Sequence, residues 1–411
     1  MTAPTLPSDM WCKIVGDLPA ADRARLAQVD TRLARTERDP RFWEDLLPTL
    51  RAAQLAKIST ICPGLAPAVT AQLHRRLTTV AGTGEEGFNG DNQPATTAQL
   101  NDPRGLTVDA HGNLYTTDTY NHRIRKVDLQ GTISTVAGTG QRGFNGDNQP
   151  ATTAQLNYPR GLTVDAHGNL YTTDTDNERI RKVDTHGTIT TVAGTGQRGF
   201  NGDNQPATTA QLASPWDVAV DAHGNLYTTD TYNHRIRKVD LQGTISTVAG
   251  TGQRGFNGDN QPATTAQLNY PRGLTVDAHG NLYITDTDNE RIRKVDTHGT
   301  IATVAGTGQR GFNGDNQPAT TAQLASPWDV AVDAHGTLYI ADTYNERVRR
   351  VDAWGTITTV AGSGEEAGQL AGDGEPLSMA FLKRPCSLAF DSPGNLYIAD
   401  THRIRRILPP Q

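Results

Sequence analysis

Six residues, each directly after a proline at equivalent positions, carry the chemistry that stands out in this sequence: Arg104, Arg160, Trp216, Arg272, Trp328 and Cys386. Arg and Trp are the residue types that most often dominate binding energies. Three arginines converging on one point are suited to holding a carboxylate or phosphate through paired N–H donors. Tyr158, Tyr270, Asp217 and Asp329 stand beside them, and Tyr120, Tyr232 and Tyr344 fall in nearby turns that alternate with Asp176 and Asp288. The chemistry implied is recognition of an acidic or phosphorylated peptide. The competing reading is structural, with the arginines paired to neighbouring aspartates and the tryptophans packed between elements.

Other conspicuous sets read as scaffold. His111, His167, His223, His279 and His335 all fall in Asp-Ala-His-Gly turns, too far apart to share a metal. Asp118 and its equivalents fit an Asx role, accepting from the backbone of the following turn. The Asn89-Gly90-Asp91-Asn92 loops alternate oxygen ligands, but they do not supply the five or so oxygens and bidentate Glu of a calcium loop. Metal and cofactor sites are therefore not expected. Nor is a nucleophile elbow or phosphate-cradling glycine loop present, so the chain reads as a binding protein and not an enzyme.

These residues are positioned by a repeat. Thr79-Val80-Ala81-Gly82 returns at Thr135, Thr191, Thr247, Thr303 and Thr359, a constant step of 56 residues. Each unit holds four short runs rich in β-branched and aromatic residues, such as Leu106 to Val108, Asn113 to Thr117, Arg123 to Val127 and Thr132 to Val136. Asp, Asn and Gly separate them at turns. A four-stranded antiparallel meander of this kind is one propeller blade. The Asp that closes the second strand appears at Asp118, Asp174, Asp230, Asp286, Asp342 and Asp400, giving six blades. The sixth lacks its outer strand, and Leu77 to Ala81 precedes the first complete unit, so it is expected to fill the gap and close the ring. Outer-to-inner and second-to-third loops then share one face. That face carries the long Gly-Phe-Asn-Gly-Asp segments, and long loops on a rigid scaffold are where binding is expected.

The run Asn113 to Val127, with its Asn-Leu-Tyr, Asp-Thr and Asn121-His122-Arg123-Ile124, resembles the NHL repeat. The resemblance covers about Thr78 to Ile407 and implies a mainly β, six-bladed propeller used chiefly for binding. The sixth unit departs from it at Asp400-Thr401-His402-Arg403. Some propellers of this type are lyases, a minority reading that would need His or carboxylates where Arg, Trp and Cys386 stand.

The remainder bounds the setting. The chain has 411 residues and a formal net charge of −6, which gives no reason to expect nucleic acid or a membrane as partner. Cys12, Cys62 and Cys386 show no zinc or disulfide spacing. With no secretory leader or spanning segment apparent, a cytoplasmic protein is expected. Over residues 6–47, Met10, Ile14 and Leu18, then Leu26, Val29 and Leu33, recur at helical spacing. Asp39-Pro40 announces a third short helix carrying Phe42 and Trp43. Leu6-Pro7 with Ile14, Leu18, Leu26, Val29 and Trp43 resembles the F-box, a small α-helical module. That resemblance implies binding to a Skp1-like protein and a role as the substrate-recognition subunit of a cullin-based ubiquitin ligase. It would operate in a host cytoplasm if the source is an intracellular bacterium or a virus. Asp30 and Leu33 depart from the motif. The alternative is a helical cap on an interaction scaffold with no ubiquitin role. The expected organisation is an F-box-like domain over 1–48, a helical linker over 49–77 and the NHL propeller over 78–411. It would be a monomer outside the complex, with an unidentified protein or peptide as target.

Overall fold

A computed structural model describes residues 77–364, 373, 377 and 380–409. The F-box-like residues Leu6, Pro7, Ile14, Leu18, Leu26, Val29 and Trp43, and the helices expected before residue 77, lie outside the described residues.

The first complete blade contains strands Pro103–Val108, Leu114–Asp118, Arg123–Val127 and Thr132–Ala137, running from the channel outward. Its turns form because aspartates hold them. Asp109 accepts from the N–H groups of His111 and Asn113, and Asp128 from those of Gln130 and Thr132. His111 and its repeats are thereby exposed turn residues. Alternation sets the faces: Ile124 and Ile133 are fully buried in the layer between neighbouring blades.

Six such sheets occur. Five of them gain an outermost two-residue strand from the long loop, as where Gln93–Pro94 pairs with Thr132 and Ile133. Two-residue additions of this kind are below what strand periodicity detects. The sixth sheet is completed by Leu77–Ala81, which pairs antiparallel with Arg403–Ile407 in the register Leu77↔Ile407, Thr78↔Arg406 and Thr79↔Arg405. Leu77, the last residue of the span assigned to the linker, is thus part of the propeller's sheet. At the seam, Ala81, Leu106, Ala399 and Ile404 share one apolar cluster, and the Cys386 thiol donates to the carbonyl of Pro103 at 3.1 Å. Closing the ring leaves only short, protected sheet edges.

A buried ion-pair ladder runs through the blades. Arg125 is fully buried. It donates to Asp118 Oδ2 at 3.2 Å, to the Gly90 carbonyl at 2.9 Å and to Asp91 Oδ1 at 2.9 Å. Arg181, Arg237, Arg293 and Arg349 repeat the arrangement. This corrects two expectations. Asp118 does not cap the turn that follows it; its Oδ1 accepts from the Asn101 N–H and Asn121 Nδ2 while Oδ2 turns inward to Arg125, because a fully buried carboxylate is costly without a cation beside it. The Gly-Phe-Asn-Gly-Asp loops are braces and not open arms. Phe88 stacks 3.9 Å from Arg123, Asp91 accepts from Arg125 and Thr135, and Asn89 Oδ1 accepts from Gln93 and Gln99. Of the loop oxygens that suggested a cation, Asn89 Oδ1, the Gly90 carbonyl and Asp91 Oδ1 are already engaged.

Candidate functional site

The second residue of the inner strand is the arginine or tryptophan singled out above in five blades and the seam residue Cys386 in the sixth, and the step into it is a backbone device. The residue before the proline is left-handed in every blade: Asp102, Tyr158, Ser214, Tyr270, Ser326 and Arg384 have φ between 43° and 53°. Non-glycine residues reach this region only when their surroundings hold them there. The preceding blade does so in five cases. His122 Nδ1 accepts from the Tyr158 N–H at 3.2 Å, His234 from Tyr270 at 3.3 Å and His402 from Asp102 at 3.2 Å, while Glu178 and Glu290 accept from Ser214 and Ser326. Burial holds His122, His234 and His402 below the ordinary imidazole range, which keeps Nδ1 free to accept.

On this ledge five of the residues singled out above converge. The Arg160 guanidinium carbon lies 3.7 Å from the Trp216 ring, and that of Arg272 lies 4.5 Å from Trp216 and 4.6 Å from Trp328. Arg104 approaches Trp328 at 5.0 Å, Trp216 at 5.5 Å and Tyr120 at 6.0 Å. The two indoles meet edge to face at 6.0 Å. Cation–π contacts of this kind gain strength when shielded from water.

Their partners differ. Arg104 donates through both Nε and Nη2 to Asp102 Oδ2, at 2.8 and 2.6 Å. Arg160 and Arg272 hydrogen-bond to no group among the described residues; their Nε atoms and Trp328 Nε1 are buried without an acceptor. Burial, with the charges of neighbouring arginines, brings Arg160 and Arg272 down to about 10. Both remain cations at neutral pH. The exposed Asp176 and Asp288 attract them from beyond ion-pairing distance.

One residue deeper, Asp217 and Asp329 do not neutralise the arginines either. Asp217 accepts from the N–H groups of Val218 and Leu274, and Asp329 from those of Val330 and Leu388, each carboxylate capping the bare edge of the next inner strand. Gly161 and Gly273 make room for them, since a Cβ there would lie 2.5 and 2.8 Å from the respective Oδ1 atoms. Burial raises both carboxyls, and Asp217's charge raises Asp329 further. They line a channel cavity of about 220 Å³ with Leu106, Thr107, Leu274 and Leu388.

The remaining candidates form the rim. Tyr120, Tyr232 and Tyr344 are 46–47 % exposed. Tyr344 lies against Trp328 at 6.1 Å. Tyr158 and Tyr270 instead pack beside Tyr120 with His122 and Tyr232 with His234, as satellites of the centre. Cys386 is buried in the seam, its thiol pushed up by burial. Arg198 and Arg310, stacked on Tyr232 and Tyr344 at 4.3 and 4.7 Å, were missed, although their recurrence in Gln-Arg-Gly-Phe was there to be read.

Comparison with known proteins places this geometry in a lineage. The family profile described as "Teneurin NHL domain" matches residues 55–144, 141–201, 252–313 and 307–378, and the NHL repeat profile matches 212–239. "Protein SUPPRESSOR OF QUENCHING 1, chloroplastic" of Arabidopsis thaliana is 30% identical over 287 residues, covering 66% of this chain and 27% of that protein. Human Teneurin-1 is 32% identical over 278 residues, covering 58% of this chain and 10% of that protein. The chain therefore spans about a quarter or less of these relatives' own length. An auxiliary nutrient binding protein from Bacteroides ovatus superposes with a TM-score of 0.60 at 18% identity, over 82% of this chain and 77% of that one, a likeness of fold. No helix among the described residues is long and apolar enough to cross a membrane. With matched segments spread over more than half its length, the chain belongs to the Teneurin NHL domain family.

Proposed function

We propose that this protein is a non-catalytic adaptor whose propeller holds an anionic segment of a partner protein at the channel mouth. One observation carries the reading: Arg160 and Arg272 are half-buried cations, fixed on tryptophan faces, with Nε atoms buried without an acceptor and no hydrogen-bond partner among the described residues. A cation drawn partly out of water onto apolar rings, with no acceptor in reach, gives up solvation, and a partner's anion supplies the compensation. Arg104, Trp216 and Trp328 complete the seat, and Tyr120, Tyr232 and Tyr344 offer amphipathic contact around it.

In the same reading the N-terminal residues Leu6, Pro7, Ile14, Leu18, Leu26, Val29 and Trp43 engage a Skp1-like protein, and proximity in the cytoplasm delivers the bound partner to a ubiquitin ligase. The support for this half is the residue pattern itself. The second reading keeps the propeller as an interaction scaffold without a ligase partner; it is favoured by family matches that begin only at residue 55. Capture of purified Skp1 by the full chain separates the two. Retention that is lost in L6A/P7A supports the adaptor, and no retention leaves the scaffold.

A further inference from the structure

Resting on the reading of the channel mouth as an anion seat, we propose that its ligand is a phosphate monoester carried on an otherwise weakly charged segment of a partner protein, and not an acidic tract.

Charge is the first argument. Arg104 is neutralised by Asp102, whereas Arg160 and Arg272 present two uncompensated charges to the same Trp216 ring. A carboxylate returns one charge and two acceptor oxygens. A phosphate monoester returns close to two charges at neutral pH and three strong acceptor oxygens, enough for both guanidiniums.

The surroundings exclude the acidic tract. The rim alternates Tyr120, Tyr232 and Tyr344 with the exposed carboxylates Asp176 and Asp288, so a run of Asp or Glu laid across the mouth meets like charge in two of these turns. Below the seat, Asp217 and Asp329 line the channel. Negative charge is accepted at one point and repelled at the rim around it. That pattern selects a single concentrated anion at the tip of a side chain.

The test uses the full chain and three versions of one short uncharged peptide, bearing threonine, glutamate or phosphothreonine, titrated against tryptophan fluorescence. Inorganic phosphate and a short single-stranded oligonucleotide serve as further probes. At pH 7.5 the phosphopeptide is expected to bind about tenfold or more tighter than the glutamate peptide. That preference should shrink as pH falls through about 6, where the monoester takes up its second proton. R160Q and R272Q should each weaken the phosphopeptide by about tenfold to a hundredfold, the range for one charge-assisted contact, with melting temperatures near that of the parent chain; R272K, if R272Q does not fold, should weaken it too. Equal binding of the glutamate and phosphothreonine peptides overturns the phosphate assignment and leaves the anion seat standing. Failure of every anion, phosphate included, overturns both. Tighter binding of the oligonucleotide, or of free phosphate, overturns the assignment to a phosphorylated protein segment.

Discussion

Two populations of arginine share this propeller and differ in what surrounds them. Arg181, inside a blade, has Asp174 at 3.2 Å, Asp147 at 2.9 Å and the Gly146 carbonyl at 2.9 Å. Arg160, at the channel mouth, has an indole face at 3.7 Å and no hydrogen-bond partner among the described residues. The first is compensated within the fold and recurs blade after blade; the second has no ion-pair or hydrogen-bond partner among the described residues and occurs where the repeats cease to be alike. Residue type does not separate structure from recognition in this protein. The supply of acceptors does.

The largest effect expected from this contrast is on stability. R181A leaves Asp174 fully buried and without its cation, a loss of about 3–5 kcal/mol, whereas R272A removes a cation that had no partner and should alter stability by about 1 kcal/mol or less. Urea denaturation of the two variants measures both. Comparable losses would show that the mouth arginines are also part of the framework.

The repeat, the four strands and the closure by Leu77–Ala81 were legible because a 56-residue step with Gly, Asn and Asp turns admits few architectures. The convergence of Arg104, Arg160, Trp216, Arg272 and Trp328 was legible too, from their equivalent places after a proline. What sequence did not disclose is who pairs with whom. Arg125 alternates along its strand like any solvent-facing residue, and only the loop folding back over it, with Asp91, makes it buried. Asp217 stands next to Trp216 in sequence, yet its carboxylate turns to the backbone of Leu274 in the next blade. Such choices depend on the geometry between blades, which no local pattern encodes.

The next effects sharpen the contrast through pH. Burial raises the Asp217 carboxyl above its ordinary value, so its share of stability is present below about pH 4 and is lost as pH rises through its elevated folded value. D217N, which cannot ionise, should therefore gain on the parent chain as pH rises, by up to about 1.4 kcal/mol per pH unit at the steepest point. Denaturation midpoints from pH 4 to 8 give the slope, and parallel curves would contradict the assignment.

A smaller and opposite change is expected at the ledge. His122 is held below its ordinary value, so its contribution is lost as pH falls below about 6.5, where the unfolded chain gains the proton first. H122N supplies a non-titrating acceptor for the Tyr158 N–H, and asparagine tolerates the left-handed backbone at this position. It should flatten the acid side of the stability curve by a fraction of 1 kcal/mol.

The most direct measurement follows the arginine side chains themselves. In a chain labelled with ¹⁵N-arginine, the Nε–H resonances of Arg160 and Arg272 should shift on titration with a phosphothreonine peptide, Arg104 less so, while those of Arg125, Arg181, Arg237, Arg293 and Arg349 stay in place. Shifts confined to the ladder, or an unresponsive pair at the mouth, would contradict the division between compensated and open arginines.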